Sequence, residues 1–318
     1  MSILRDVFLI TQVYDLQRAG LWPTIISTDG FFGYFGGGGS ASTVDRIDYA
    51  NDLATASVRG PLSHSSSNLA ATGNINFGWF GGGQPISTVN RIDYASDLAT
   101  ASVRGPLSLA RFSLAATGNT NFGWFGGGYG PPSTRYSTVD RIDYANDLAT
   151  AIGRGPLSIP VFVNAATGNS NFAWFGGGYS TPSPGTRSVV DRIDYTNDNV
   201  TASVRGPLSL ARFAPTATGN GNFGWFGGGF VGTQHSTVDR VDYANDLITA
   251  SVRAPLNSSR YRSAATGNTN FGWFGGGTPG PLSSVNRVDY SADTTSFPAR
   301  GPLSFARINL AATGGFPG

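Results

Sequence analysis

Apolar and polar positions along this chain come in short alternating bursts, and the bursts return. The most regular is Asn121-Phe122-Gly123-Trp124-Phe125-Gly126-Gly127-Gly128, found six times with small changes. Its anchor phenylalanines are Phe35, Phe80, Phe125, Phe175, Phe226 and Phe274, separated by 45, 45, 50, 51 and 48 residues. Self-similarity at that period indicates a solenoid, propeller or array rather than a conventional domain.

The second unit shows what one repeat contains. Residues 76–80 are apolar and aromatic, and Gly81-Gly82-Gly83 follow, which permits positive φ and close backbone approach. After a variable loop, residues 87–94 alternate as a strand should. Residues 95–97 form a turn, with Asn or Asp able to bond its own backbone. A third strand over 99–103 is stopped by Arg104-Gly105-Pro106, because proline cannot donate to a ladder. A last strand over 111–118 has small side chains suited to the crowded hub of a ring. Four short strands in about 45 residues predict a propeller blade.

The chain stops soon after a small strand at 307–314, while the first glycine-rich strand, near Phe31, has no clear small strand before it. The economical solution is an all-β, six-bladed propeller over residues 29–318, closed when 307–314 completes the blade begun at Phe31. Closure removes the exposed edge that invites aggregation. The alternative is seven blades, with residues 24–28 serving the first blade and 4–22 joining an irregular seventh. Residues 1–28 lie outside the repeat and read as an arm or anchor, with helix and strand competing for 4–16.

Composition narrows the picture further. The chain is 40% hydrophobic and 12% aromatic, enough for a sizeable core despite 45 glycines. Lys and Glu are absent: all 21 basic residues are Arg and all 19 acidic ones Asp. A net charge of +2 is too small and too evenly repeated for a nucleic-acid surface. No stretch approaches the roughly 20 apolar residues of a membrane span, and the N-terminus does not read as a signal peptide. With no cysteine and only His64 and His235, neither a metal site nor a catalytic triad is expected. The glycine runs lack the lysine of a phosphate-binding loop. No catalytic residue, metal or cofactor is expected, and the protein reads as a non-enzyme.

Several motifs are repeated, and repetition argues for scaffold. The pairs Arg46/Asp48, Arg91/Asp93, Arg141/Asp143, Arg192/Asp194, Arg240/Asp242 and Arg287/Asp289 share a strand face by period-2 geometry. They are expected to form blade-to-blade ion pairs. A second series, Arg59, Arg104, Arg154, Arg205, Arg253 and Arg300, precedes Gly-Pro or Ala-Pro; structure is favoured over an anion-binding rim. Tyr34, Trp79, Trp124, Trp174, Trp225 and Trp273 hold one position, expected in the core. Turns such as Asp48, Asn51 and Asp52 could offer oxygens to calcium, but Asx-turn chemistry fits better than a dedicated loop. What varies is the loop after the triple glycine and the segment before the small strand. Both emerge on one face of an up-and-down blade, where binding is commonly placed. Tyr129, Arg135, Tyr136, Tyr179, Arg187, Phe230 and His235 are therefore the candidate contacts, since Tyr and Arg favour interfaces.

The order of small strand, Phe122-Gly123-Trp124-Phe125-Gly126-Gly127, residues 139–144 and a short fourth strand resembles a kelch repeat over about nine tenths of the chain. Kelch blades carry a double glycine after the second strand, a Tyr-Asp in the third and usually a Trp in the fourth. Here Asp143-Tyr144 reverses that order, and Val103, Val204 and Val252 lie near the missing Trp. The crosslinked cysteine of kelch-type copper oxidases is absent. The uniform Phe-Gly-Gly-Gly, Val-Asp-Arg-Ile-Asp-Tyr and Arg-Gly-Pro-Leu-Ser wording also resembles kelch-like repeats in virion proteins of tailed bacteriophages. That resemblance implies a structural or interaction protein of a tail, fibre or capsid surface, located in the virion. Its partners would be other virion proteins, met through residues 1–28 or the loop face, with self-assembly as a further option. The alternative is a soluble lectin-like module with a host-surface glycan as partner.

Overall fold

The computed structural model describes residues 32–84, 86–181 and 185–314. They form six four-stranded antiparallel sheets arranged as the blades of a propeller. In the third blade, Ala115–Gly118 is innermost, followed outward by Phe122–Gly126, Val139–Asp143 and Ile152–Arg154. The blade begun at Phe32–Gly36 takes its innermost strand, Ala311–Gly314, from the other end of the chain. Blades are numbered here from that one. The ring is thus six-bladed and closed as the repeat implies. The expected arm at 1–28, and the strands of the seven-bladed alternative at 4–22 and 24–28, lie outside the described residues.

Two strand limits differ from the sequence pattern. The innermost strand of the third blade starts at Ala115 and not at Arg111, because Ser113 has φ 56° and breaks the extended run. Asn68, Val163, Ala214, Arg262 and Asn309 do the same in the other blades. The outer strand covers only Ser102–Arg104 in the second blade. Residues 99–101 turn inward before it, and Ala101 N donates to Pro61 O of the blade before.

Cross-strand register explains the seams between blades. Thr72, Trp79, Arg91 and Ser102 stand opposite one another across the second blade, so they share the face turned to the third. Trp79 is fully buried there and stacks on Tyr144 at 3.8 Å between ring centroids. The Tyr144 hydroxyl lies 3.0 Å from Thr72 Oγ1. Two residues further along the same face stands a glycine. A Cβ on Gly81 would stand 2.8 Å from the Phe125 ring of the next blade, too close for any side chain. The aromatic of one repeat thus packs against the strand glycine of the one before, which fixes the Phe-Gly spacing of the motif.

Each seam is latched by one aspartate. Asp147, buried in the turn of the third blade, accepts from Trp79 Nε1 at 2.9 Å and Arg91 Nη1 at 2.9 Å, with Arg104 Nε at 3.5 Å. Asp97, Asp198, Asp246, Asp293 and Asp52 repeat this around the ring. The last of these joins the sixth blade to the first through Trp273, Arg287 and Arg300. Both arginine series are consumed in the latches, so the second one is not a free cationic rim.

The motif arginines make the expected blade-to-blade ion pairs, but the aspartates of Arg-x-Asp are not their partners and have another role. Asp143 Oδ1 accepts from Ala145 N at 3.0 Å and caps the short 3₁₀ turn Tyr144–Asn146. The third strand ends at that residue, so its carboxylate folds back on its own turn instead of meeting Arg141. Asp48, Asp93, Asp194, Asp242 and Asp289 do likewise, accepting from Ala50, Ala95, Thr196, Ala244 and Ser291 N at 2.9–3.0 Å. All six carboxylates thus bond back to their own turns, five of them 3₁₀ turns, and among the described residues none joins an ion pair. The motif arginines reach past them to the next blade, Arg141 to Asp198 at 3.0 Å, Arg192 to Asp246 at 3.0 Å and Arg240 to Asp293 at 3.1 Å.

A second set of charges lies inside the blades. Arg111 pairs with Asp140 at 3.1 Å, Arg212 with Asp239 at 2.9 Å, and Arg307 with Asp45 at 2.7 Å, all fully buried. The second blade has Ser66 and Asn90 at these positions, replacing both charges together. The fourth and sixth blades break the rule. Val161 leaves Asp191 without an arginine, and burial pushes the Asp191 carboxyl up, partly offset by bonds from Ser158. Arg260 faces Asn286 at 2.8 Å instead of a carboxylate, and burial pushes its guanidinium down to about 10.

Candidate functional site

The loops between second and third strands share one face of the ring with the segments that lead into the innermost strands. On that face the chain turns at paired glycines. Gly127 and Gly128 have φ of 73° and 110°, which only glycine adopts without strain. The turn delivers Tyr129 alongside Phe112, and the two exchange backbone hydrogen bonds of 2.8 and 2.9 Å. The same bridge joins Phe162 to Tyr179, Phe213 to Phe230, and Tyr261 to Thr278.

The side chains of these bridges form one arc. Phe112 and Tyr129 are 5.4 Å apart, Tyr129 and Phe162 5.4 Å, Phe162 and Tyr179 5.6 Å, and Tyr179 and Phe213 6.2 Å. Phe230 lies 5.2 Å from Phe213 and 5.1 Å from Tyr261. Seven half-buried rings thus run across the third to sixth blades in edge-on or tilted contact, each pair contributing about 0.5–1.5 kcal/mol. The first and second blades place Gly39, Ile308, Gln84 and Ser67 at the equivalent positions, so the arc is not a product of the repeat. Arg135 caps its middle. The hairpin Tyr129–Gly130 with Thr134–Arg135 sets the guanidinium 5.5–6.0 Å from the ring centres of Tyr129, Phe162 and Tyr179. Arg262, exposed, stands 5.5 Å from the Tyr261 ring.

The candidate contacts fall into two groups. Tyr129, Arg135, Tyr179 and Phe230 belong to the arc. Tyr136, Arg187 and His235 occupy one equivalent position behind it, their backbone N–H groups donating to Gly128, Gly178 and Gly229 at 2.9 Å. The Tyr136 hydroxyl donates to Pro131 O at 2.6 Å. Sequence reasoning missed Phe112, Phe162, Phe213 and Tyr261, because they were absorbed into the expected inner strand. The available signal was their change to Ser67 and Ile308 in the first two units.

Charge is sorted across the ring. The loop-face segments, including 37–43, 127–138, 177–189 and 254–263, contain no Asp. The described aspartates either lie buried inside blades, as Asp140 does, or cap and latch the opposite face. Among the described arginines, those outside the latches and the inner positions are Arg135, Arg187 and Arg262, all on the loop face. The groups with displaced pKa values are buried in the seams and blade interiors, Arg111, Arg212 and Arg260 directly beneath this face. Tyr144 and Tyr195 are pushed up by burial in the seams. Among the described residues, no three His, Cys, Asp or Glu side chains gather to hold a metal, and no helix is long and apolar enough to cross a membrane.

No protein-family model matches the chain, and no curated protein matches it in sequence. Its fold is similar to that of a solved protein described as "Structure of YjhT". The TM-score is 0.65 at 10% identity, over 78% of this chain and 87% of the other. At that identity the likeness establishes a propeller fold and nothing of activity.

Proposed function

We propose that this protein is a non-catalytic binding platform, a rigid ring that presents one adhesive face. The observation that carries the reading is the aromatic arc with Arg135 at its centre. It is built on paired-glycine turns, confined to four blades and absent from the other two. Scaffold residues here are repeated six times, so a departure from the repeat on one face points to a role other than folding. The non-catalytic part rests on where the displaced groups lie. The shifted tyrosines and arginines sit in seams and blade interiors, already engaged with their neighbours. The kelch-like repeat wording supports placing the ring on a phage particle, where such a platform would meet another virion protein or a host surface.

The test is a screen of the purified protein against arrayed glycans and polypeptides, repeated with Tyr129→Ala/Tyr179→Ala/Phe230→Ala. At least one ligand class should bind the parent and be lost in the variant, with the fold retained by circular dichroism. Absence of any arc-dependent ligand would sink the platform reading, and turnover of a bound ligand would sink its non-catalytic part. Antibodies to the ring should decorate purified particles; undecorated particles would remove the virion setting alone.

A further inference from the structure

We infer that the arc takes a carboxylate-bearing glycan, read as an extended chain of sugar rings; this rests on the platform reading and names its ligand. Two independent features converge. The first is the row of half-buried rings, which runs in edge-on or tilted contact over four blades and offers an extended apolar track. A protein partner usually anchors an aromatic or aliphatic side chain in a pocket. A sugar ring needs only a flat apolar surface flanked by neutral hydrogen-bonding groups. Ser133, Thr134, Thr186 and Gln234 stand in the loops beside the rings and supply them.

The second feature is the sorting of charge. The loops of this face carry no Asp or Glu in their sequence, and Arg135 and Arg262 stand among the rings with no carboxylate bonded to them among the described residues. On the opposite face each seam arginine is neutralised by an aspartate at 2.8–3.6 Å. A face with cations and no anions attracts an anionic ligand and repels none. A guanidinium also presents a planar fork of donors that matches a carboxylate. Two such cations are few for a polyphosphate, whose backbone carries a charge at every unit. They suit a glycan in which acidic sugars supply charge and ring faces supply contact.

The experiment uses the full chain and polygalacturonate oligomers, with their methyl esters as the uncharged counterpart. Binding is measured by calorimetry at low and physiological salt. The acid form should bind and weaken with salt, and the methyl ester should bind about tenfold or more weakly. Arg262→Gln lies on an exposed side chain and should keep the fold while losing about tenfold in affinity. Arg135→Gln should lose as much or more, and Leu148→Gln on the far side should lose nothing. Equal affinity for acid and ester, or full affinity in both arginine variants, would overturn the inference. Tighter arc-dependent binding of single-stranded DNA would replace the glycan with a nucleic acid. An arc-dependent polypeptide in the earlier screen, with no binding of the oligomers, would defeat the glycan and leave the platform standing. No arc-dependent ligand of any class would defeat both.

Discussion

Replacing Asp147 by alanine removes a whole latch. Its carboxylate accepts from Trp79 Nε1 and Arg91 Nη1 at 2.9 Å each, and Arg104 Nε stands at 3.5 Å. The aspartate is 6% exposed, while the two arginine side chains are 21% and 17% exposed, so water reaches the cations more easily than the anion. Breaking a fully buried pair costs about 3–5 kcal/mol. Partial exposure of the arginines pulls the ionic share toward the lower end, while the stranded indole N–H adds about 1 kcal/mol. A loss of about 3–5 kcal/mol is therefore expected for Asp147→Ala. With about 2 cal/mol/K of unfolding entropy per residue, a ring of this size should lose roughly 5–8 °C in Tm by calorimetry. Asp143→Ala, four residues earlier, removes only a cap on an exposed turn and should cost about 1 kcal/mol, or roughly 2 °C. Asp52→Ala, in the closing seam, should match Asp147→Ala because the same three donors converge on it. Equal small losses for Asp143 and Asp147 would refute the latch.

Three further outcomes follow from the inner charges and the strand glycines. Asp191→Asn should stabilise the ring at neutral pH. The folded pKa of Asp191 lies above its unfolded value, so the carboxylate costs stability once pH rises through the folded pKa. The variant's advantage should vanish at a pH below the ordinary carboxylate range, and denaturant midpoints at the two pH values check it. Asn286→Asp should raise Tm by giving Arg260 the counterion that Asp45 gives Arg307, worth about 1–2 kcal/mol after losing the bond from Asn286 Nδ2 to Phe297 O; an unchanged or lower Tm would count against that account. Gly126→Ala should destabilise by about 1–3 kcal/mol, because its Cβ would lie 2.7 Å from the Phe175 ring.

Much of the fold was legible because six copies amplified signals that are weak in one. The glycine-rich strand, the third strand and the split closing blade could all be placed from spacing alone. The latch could not, because its acceptor belongs to the next repeat: Arg91 and Asp147 are 56 residues apart. Within one unit the nearest acid to Arg91 is Asp93, and nothing in a period-2 pattern says that it turns back to Ala95 N. The same blindness applies to Asp194, Asp242 and Asp289, whose carboxylates turn back on the residue two positions on. The inner strand was drawn too long because Ser113 and Val163 carry no sequence mark of positive φ, unlike a glycine. That error hid Phe112 and Phe162 among strand residues. Three of the seven rings were therefore visible as loop aromatics, and four lay concealed in what read as scaffold. The sorting of charge across the ring is a property of the closed structure, since the alternate ends of antiparallel strands must first be assigned to faces.

The split blade also decides how the ring bears force. Gly33 lies opposite Gly314 and Gly36 opposite Ala311, so residues 32 and 314 leave the sheet at the same end. A load drawn through both ends would act on the outermost hydrogen bond first, then the next, like a zipper and not like a sheared lap joint. Opening by tension should therefore begin in the first blade at low force. A load applied to the loop face spreads instead over six seams, each held by stacked rings and an ionic latch. The ring should thus open easily under tension applied through residues 32 and 314 and resist a load spread over its loop face.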